Sequence, residues 1–223
     1  MKNSSDALYQ FLCATFCVIV VMSNIISAKM VSLPFFDNFV IPAGLMTYPF
    51  AFLLSDLVTE IYGAQKAKAM VYIAFAMNLV SFGMIQTVVL LPTGDPVSHA
   101  EFRAVLGLSG LRIFASLAAF ISAQIVDIQL YAMIKRWTGE RFLWLRNNGS
   151  TCASQVVDTV LVDMIYLYWG LGFGLDVVAP IMAFSYAYKA CFSLSTTPLF
   201  YLLVHMIRMR QMKQWNSEYR IQN

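Results

Sequence analysis

The sequence predicts an all-α integral membrane protein with six transmembrane helices and both termini in the cytoplasm. Charged residues make up only 12% of the 223 residues and hydrophobic residues 59%, with a mean hydropathy of +0.66. Soluble domains carry about 25% charged residues. Since one helical crossing takes about 20 residues, six crossings fill most of the chain. We therefore expect residues 1–223 to form a single domain with short loops.

Six apolar segments are separated by polar or proline-containing sequence. The first is longer than the core of a signal peptide, so we interpret it as an uncleaved span. The second ends at Gly63, which is typical of a left-handed helix cap. The longest loop is predicted between the third and fourth segments, from Pro92 to Leu111. The predicted spans are residues 7–28, 45–62, 67–91, 112–134, 151–171 and 178–206, and a basic cytoplasmic tail follows at 207–223.

Lysine and arginine residues concentrate on one side of the predicted membrane. With the N-terminus inside, 11 of the 15 fall in cytoplasmic segments, whereas Lys29, Arg103 and Arg112 lie towards the other side and Lys189 lies within a span. Because short cytoplasmic loops carry the excess of Lys and Arg, both termini are predicted to be cytoplasmic. The 11 residues are Lys2, Lys66, Lys68, Lys135, Arg136, Arg141, Arg146, Arg208, Arg210, Lys213 and Arg220.

One short polar pattern occurs twice within apolar sequence. The copies are residues 122–127 (Ser-Ala-Gln-Ile-Val-Asp) and 153–158 (Ala-Ser-Gln-Val-Val-Asp), which places Gln124 and Gln155 31 positions apart. Residues three apart are neighbours on a helix, so each copy offers an amide and a carboxylate to one side. A carboxylate at the centre of a membrane helix costs about 2.5–3.5 kcal/mol on insertion scales. We interpret the two copies as a binding site; the alternative is two polar clusters that only pack helices.

Helix rise places further polar residues at the depth of this pattern. At about 1.5 Å per residue, Asp56, Asp127 and Asp158 lie about 15, 12 and 18 Å from the cytoplasmic edge of a hydrocarbon layer about 30 Å thick. Asn78 lies at a similar level, and Glu60 is one turn nearer the cytoplasm. Secondary transporters commonly bind solutes at this depth. We expect the three aspartates and two glutamines to line one cavity; whether a proton held there is coupled to transport stays open.

Other function classes find little support in the sequence. No Gly-rich phosphate loop is present, so the chain carries no ATPase of its own. The net charge of +3 reflects cytoplasmic loops rather than a nucleic-acid surface. A membrane-embedded enzyme would need a nucleophile with a base or a metal constellation, but His99 and His205 lie outside the acid layer. We therefore expect no enzyme activity, no cofactor, no metal and no direct contact with nucleic acid.

Three motifs resemble those of the queuosine precursor transporter family. They are Tyr48-Pro with Ser55-Asp-Leu-Val-Thr-Glu-Ile-Tyr-Gly63; Arg112…Ser116…Ser122-Ala-Gln-Ile-Val-Asp127; and Trp144-Leu-Arg-Asn-Asn-Gly-Ser-Thr-Cys-Ala-Ser-Gln-Val-Val-Asp-Thr159. The third motif is the most specific, and the similarity runs from Val21 to Met206. This resemblance implies a six-helix importer in the inner membrane for 7-cyano-7-deazaguanine, 7-aminomethyl-7-deazaguanine or queuine. Such compounds supply the queuosine modification of tRNA.

The chemistry of a 7-deazaguanine suits these polar residues. The heterocycle presents a ring N–H and an exocyclic amino group beside a carbonyl, and a carboxylate accepts two donors whereas an amide donates and accepts. The expected partners are this small molecule and the lipid bilayer; the oligomeric state, a homodimer included, stays open. The predicted substrate-binding residues are Asp56, Asp127, Asp158, Gln124, Gln155, Asn78, Glu60 and Arg112.

Two further expectations complete the sequence analysis. The main alternative function is a carrier, or a substrate-binding membrane subunit, for another vitamin-like heterocycle. Asp163 and Lys189 are predicted to form an ion pair, because both lie at a similar depth and an unpaired buried charge is costly. The alternative is that each side chain reaches the outer interface separately.

Overall fold

The computed structural model describes residues 2–33, 36–107, 110–139 and 141–222, with side chains described for 6–29, 31–32, 42–107, 111–139, 141–210 and 212. Over these residues the protein is a bundle of α-helices with one small hairpin. The helices are α1 (Lys2–Ile26), α2 (Tyr48–Tyr62), α3 (Ala64–Leu90), α4 (Pro96–Leu106), α5 (Gly110–Thr138), α6 (Leu143–Asp163) and α7 (Leu175–Gln222). A 3₁₀ turn (Ala43–Met46) precedes α2, and a π-helical segment (Met164–Gly170) continues α6.

Each predicted span falls on a helix of the structure, which confirms the all-α prediction. In the described part of the chain, four stretches are long and apolar enough to cross a membrane: Asp6–Ile26, Ala64–Leu90, a stretch that begins in α4 and ends with α5 (Pro96–Thr138), and Leu175–Arg210. Two predicted spans are not among them, because α2 has only 15 residues and α6 is rich in polar side chains. The count of six crossings and the orientation of the termini therefore stay predictions.

Two connections contain more regular structure than the sequence analysis predicted. In the first, β1 (Met30–Leu33) pairs antiparallel with β2 (Phe36–Pro42), with Met30 opposite Pro42. In the second, α4 forms inside the predicted loop. The Asp95 carboxylate caps this helix by accepting from the backbone N–H groups of Val97 and Ser98, at 3.0 and 3.3 Å. Pro96 occupies the first turn, where its missing N–H costs nothing.

Helix α2 lies at the centre of the bundle. Every residue from Ala51 to Glu60 is buried, and α1, α3, α5, α6 and α7 all pack against this helix. Its core contacts include Leu57 and Val58, together with Phe16 of α1 and Phe200 of α7. A helix that is buried on all sides has no face for lipid, which explains how so short a segment forms the core.

The outward surface of the bundle is apolar and much of its interior is polar. Large side chains such as Met84, Leu90, Phe114 and Trp169 are mostly exposed, whereas Asp, Glu, Gln, Asn and Arg residues are buried. This distribution is the reverse of the usual pattern in soluble proteins. It fits helices that present hydrocarbon to lipid and enclose a polar site.

Gly63 forms the whole connection between α2 and α3. Its φ of 85° and ψ of 164° separate Tyr62, the last residue of α2, from Ala64, the first of α3. The positive φ agrees with the predicted glycine terminus, but ψ lies outside the left-handed helical region. A residue with a side chain would be strained at this φ. The glycine therefore permits the abrupt turn that brings α3 against α2.

Candidate functional site

Polar side chains from α2 and α6 face each other at three levels of the bundle. Tyr48 contacts Asp158, Asp56 contacts Thr151, and Glu60 contacts Arg146. The first and second levels are eight positions apart on α2 and seven positions apart on α6. The second and third levels are four positions apart on α2 and five positions apart on α6. The steps run in opposite directions and differ by only one residue, as two antiparallel helices require, because both rise by about 1.5 Å per residue. The three levels are therefore successive layers of one polar interior.

The layer at Glu60 is a cluster of ion pairs. The Glu60 carboxylate lies 2.8 Å from Arg146 Nη2, 2.6 Å from Arg208 Nη2 and 3.1 Å from Lys135 Nζ. Tyr131 donates a further hydrogen bond to Oε2 at 3.0 Å, and Lys135 also donates to the Glu60 backbone carbonyl at 2.8 Å. One buried carboxylate thus joins α2 to α5, α6 and α7 at the end of the bundle.

Arg146 was predicted to lie in a cytoplasmic segment outside the spans, but it lies inside the helix bundle. Only 1% of its side chain is exposed, and its guanidinium donates to the Gly139 carbonyl at 2.6 Å as well as to Glu60. The reason is that α6 begins at Leu143, two turns before the predicted span, so Arg146 is part of the packed helix. Its burial is possible because a carboxylate and a carbonyl satisfy the charge.

The middle layer brings Asp56 and Asp127 together. Both carboxyl groups are fully buried and lie within hydrogen-bonding reach of each other. Ser154 donates to Asp127 Oδ1 at 3.1 Å and Thr151 donates to Asp56 Oδ2 at 3.4 Å. The other oxygen of each carboxyl group, Asp56 Oδ1 and Asp127 Oδ2, receives no N–H or O–H from the residues that the structure describes.

The two glutamines of the repeated pattern are buried without hydrogen-bond partners. Gln124 on α5 and Gln155 on α6 have no exposed surface, and neither amide nitrogen nor amide oxygen has a partner among the described residues. Ser55 Oγ on α2 is in the same situation. A buried polar group left unpaired costs about 1–3 kcal/mol, so native structures contain few of them. Four amide atoms from two matched positions are thus without a protein partner among the described residues, which leaves them available to a ligand.

Asp158 pairs with Lys189, which corrects one expectation. Lys189 Nζ lies 2.7 Å from Asp158 Oδ2 and donates to Thr159 Oγ1 at 3.1 Å. Lys189 therefore makes its ion pair with Asp158 and not with the predicted partner, Asp163. Asp158 lies five positions before Asp163, which is more than one turn of α6. Asp163 Oδ2 has no hydrogen-bond partner in the described part of the chain.

Tyr48 completes this third layer. Its hydroxyl donates to Asp158 Oδ1 at 2.6 Å, and Lys189 Nζ lies over its ring, 5.7 Å from the centroid. Tyr48 precedes Pro49 in the first turn of α2, next to the connection that follows β2. Both oxygens of Asp158 are thus occupied, unlike those of the middle layer.

A polar cluster from α1, α3 and α5 adjoins Tyr48. Asn24 Nδ2 donates to Asn78 Oδ1 at 2.7 Å, and Ser116 donates to Asn24 Oδ1 at 3.1 Å. A cavity of about 10 Å³ beside it has room for about one water molecule. A two-ring heterocycle can enter only if the surrounding helices separate. The cavity is lined by Val20, Ser23, Asn24, Tyr48, Ala51, Ser116 and Phe120.

The structure brings some of the predicted site residues together and separates others. Asp56, Asp127 and Asp158 with Gln124 and Gln155 all project from α2, α5 and α6 into the polar interior. Glu60 belongs to the ion-pair cluster, and Asn78 belongs to the cluster with Asn24. Arg112 lies near the start of α5, where it donates to the Ser27 carbonyl at 2.8 Å. The substrate role of all eight stays a prediction.

The sequence analysis did not include four polar residues that the structure places in the site. Tyr48 and Lys189 hold Asp158, and Thr151 and Ser154 hold the two other aspartates. Lys189 could have been found, because it is a single cation in an apolar segment. Thr151 and Ser154 belong to the third sequence motif. They are three positions apart, and Ser154 is four positions before Asp158, so all three lie on one face of α6.

The arrangement supplies hydrogen-bond donors and acceptors rather than reactive groups. Amides, carboxyls and hydroxyls at the centre of the bundle suit recognition of a polar, flat molecule. In the described segments, no group of three or more His, Cys, Asp or Glu side chains is placed to hold a metal ion.

Comparisons with known proteins agree with a transport function. Residues 42–203 match the family model described as "Putative vitamin uptake transporter". A protein of Bacillus subtilis (strain 168) named "Probable queuosine precursor transporter" is 31% identical over 166 residues, which cover 74% of this chain and 72% of that protein. A Haemophilus influenzae protein of the same name is 24% identical over 134 residues, 56% of this chain and 51% of its own length. No solved structure matches the chain.

Proposed function

Because the chain belongs to the vitamin uptake transporter family, and is therefore a transporter rather than an enzyme, we propose that it imports queuosine precursors. The proposed cargo is 7-cyano-7-deazaguanine, 7-aminomethyl-7-deazaguanine or queuine. Both relatives bear the name of a queuosine precursor transporter. We further propose that the protein lies in the cytoplasmic membrane, which it crosses six times with both termini in the cytoplasm. Transport would then proceed without an ATPase in the chain itself.

The observation that carries this proposal is the pair of buried, unpaired amides. Gln124 and Gln155 each hold one donor and one acceptor ready, beside carboxyl oxygens of Asp56 and Asp127 that receive no donor among the described residues. A deazaguanine edge offers the complement, two N–H donors next to a carbonyl acceptor. The glutamines orient the heterocycle and an aspartate accepts its donor edge. Binding would then pair groups that are otherwise unsatisfied.

The ion-pair layer supports the proposed orientation. Lys135, Arg146 and Arg208 gather at the end of the bundle where Glu60 lies. A basic end is the cytoplasmic end under the positive-inside rule. With this orientation α7 ends in the cytoplasm, and the Glu60 cluster stands between the amide layer and the cytoplasm. Release of cargo inward then requires this cluster to open.

Import can be tested in a strain that cannot make these precursors and lacks the transporter. Each precursor is supplied separately at low concentration, and queuosine in tRNA is measured. The intact gene should restore the modification, and Asp127→Asn should fail although the variant reaches the membrane in normal amounts. Losing a hydrogen bond to a charged group costs about 1.5–3 kcal/mol, roughly ten- to hundredfold in affinity.

The matched control is Asp163→Asn, the same change in α6 but outside the three layers, which should restore the modification as the intact gene does. If the intact gene restores queuosine with none of the precursors, the proposed function is wrong. If Asp127→Asn imports normally, the carboxyl group has a structural role only.

A further inference from the structure

The Asp56–Asp127 pair has an electrostatic requirement that substrate recognition does not explain. Two ionised carboxylates in contact repel each other, and burial removes the water that would screen them. The pair is therefore stable only with a positive charge between the two groups: a proton shared as a hydrogen bond, or a small cation held by both. Both carboxyl groups are fully buried, and the hydroxyls of Thr151 and Ser154, one turn apart on α6, donate to Asp56 at 3.4 Å and to Asp127 at 3.1 Å, which places the two groups side by side.

The groups around the pair are oxygen atoms of the kind that hold hard cations. The hydroxyls of Thr151 and Ser154 donate to the two carboxyl groups, and Ser150 lies within hydrogen-bonding reach of Asp127. Gln124, three positions before Asp127 and therefore on the same face of α5, is fully buried, and its amide oxygen has no partner among the described residues. Hard cations prefer carboxylate, carbonyl and hydroxyl oxygens. The unpaired amide oxygen is a second, independent sign of a ligand here.

The basic groups nearest to the pair are committed elsewhere. Lys135, Arg146 and Arg208 converge on Glu60, one turn away on α2, and Lys189 is bound to Asp158. Each of these four cations is thus already bound to a carboxylate other than Asp56 and Asp127. The charged and titratable groups that surround the pair are Glu60 on α2, Tyr131 and Lys135 on α5, Arg146 and Asp158 on α6, and Lys189 and Arg208 on α7.

We propose that Asp56, Asp127 and the hydroxyls of Ser150, Thr151 and Ser154 form a binding site for one monovalent cation, a proton or a sodium ion. The site adjoins Gln124, which lies three positions before Asp127 on α5. The cation and the heterocycle therefore share a carboxyl group, and each changes the affinity for the other. This coupling rests on the proposed import function, whereas the cation site itself does not.

The cation site is tested on the purified full chain in lipid nanodiscs, without any heterocycle. In the sodium arm, the melting temperature is measured while sodium chloride replaces choline chloride at constant pH and ionic strength. In the proton arm, infrared difference spectra on changing pH report a carboxylic acid. The proposal expects a sodium-dependent rise in melting temperature or a carboxylic acid signal in the intact protein. Asp127→Asn and Asp56→Asn should each abolish that effect, and Asp163→Asn should retain it.

Two results would overturn the proposal, one in the intact protein and one in the variants. The cation site is wrong if neither sodium nor pH has these effects, or if the effect persists in both Asp56→Asn and Asp127→Asn. Coupling is tested separately in vesicles with an inward sodium or proton gradient, where the heterocycle should accumulate above its outside concentration. Uptake that only equilibrates overturns coupling and leaves import standing; absence of uptake overturns the proposed function and the coupling, but not the cation site.

Discussion

The Glu60 cluster gives a stability prediction whose size follows from burial. Glu60→Gln keeps the shape of the side chain but removes the one negative charge shared by Lys135, Arg146 and Arg208. Arg146 is then a buried cation, 1% exposed, with no carboxylate opposite it among its described contacts. Removing one partner of a buried ion pair costs about 3–5 kcal/mol. We expect Glu60→Gln to lower the free energy of unfolding by that amount.

The comparison variant is Lys135→Met in the same cluster. The Lys135 side chain is 31% exposed, and Glu60 keeps both arginines when the lysine is removed. Exposed ion pairs contribute about 0–1 kcal/mol, so this change should cost little. The double variant Glu60→Gln, Arg146→Met should be more stable than Glu60→Gln alone, because it removes the uncompensated charge together with its partner.

Unfolding of these variants can be followed by tryptophan fluorescence in mixed micelles titrated with sodium dodecyl sulfate. The reasoning is refuted if Glu60→Gln and Lys135→Met cost the same. It is also refuted if the loss of stability in the double variant equals the sum of the losses in Glu60→Gln and Arg146→Met, since additivity means that Glu60 and Arg146 do not interact.

Two further predictions concern the packing of α1 and the third polar layer. A Cβ on Gly44 would meet Ser27 Oγ and the Ser23 carbonyl, a backbone atom that cannot move aside, so Gly44→Ala should destabilise by about 1–3 kcal/mol. Gly83→Ala has open space in α3 and should be neutral or stabilising by up to about 1 kcal/mol in the same titration. Lys189→Met should cost about 3–5 kcal/mol, because it leaves Asp158 buried without a cation. Adding Asp158→Asn should recover part of that loss; no recovery would show that the pair is not coupled.

Much of the site could be predicted from the sequence because helix geometry is regular. Positions three apart lie on one face, and depth increases by a fixed rise. These two rules were sufficient to place Asp56 and Asp127 at one level, and the structure brings their carboxyl groups together. The repeated pattern likewise predicted that Gln124 and Gln155 point inward, where both are fully buried.

The parts that could not be predicted depend on side-chain reach and on helix ends. Counting along α7 gave the depth of the Lys189 backbone but not the direction of its flexible side chain, which selects Asp158. Arg146 was predicted to lie in a cytoplasmic segment before the fifth span, but it belongs to the helix that begins at Leu143. Helix α4 was missed although Asp95-Pro96 is a favourable helix start. Hydrophobic patterning does not detect such a helix start, because the signal consists of one or two polar or proline residues.

The central claim is that Gln124 and Gln155 recognise the heterocycle, and binding of labelled queuine to purified protein tests it most directly. Gln124→Met and Gln155→Met keep the volume but remove the amide, so each should unfold no more easily than the intact protein. Each should bind queuine roughly ten- to hundredfold more weakly, because about 1–3 kcal/mol is lost when a ligand group is left unpaired. Gln86→Met in α3 is the control and should bind normally. Unchanged binding in both site variants, or loss of stability in place of loss of binding, would contradict the claim.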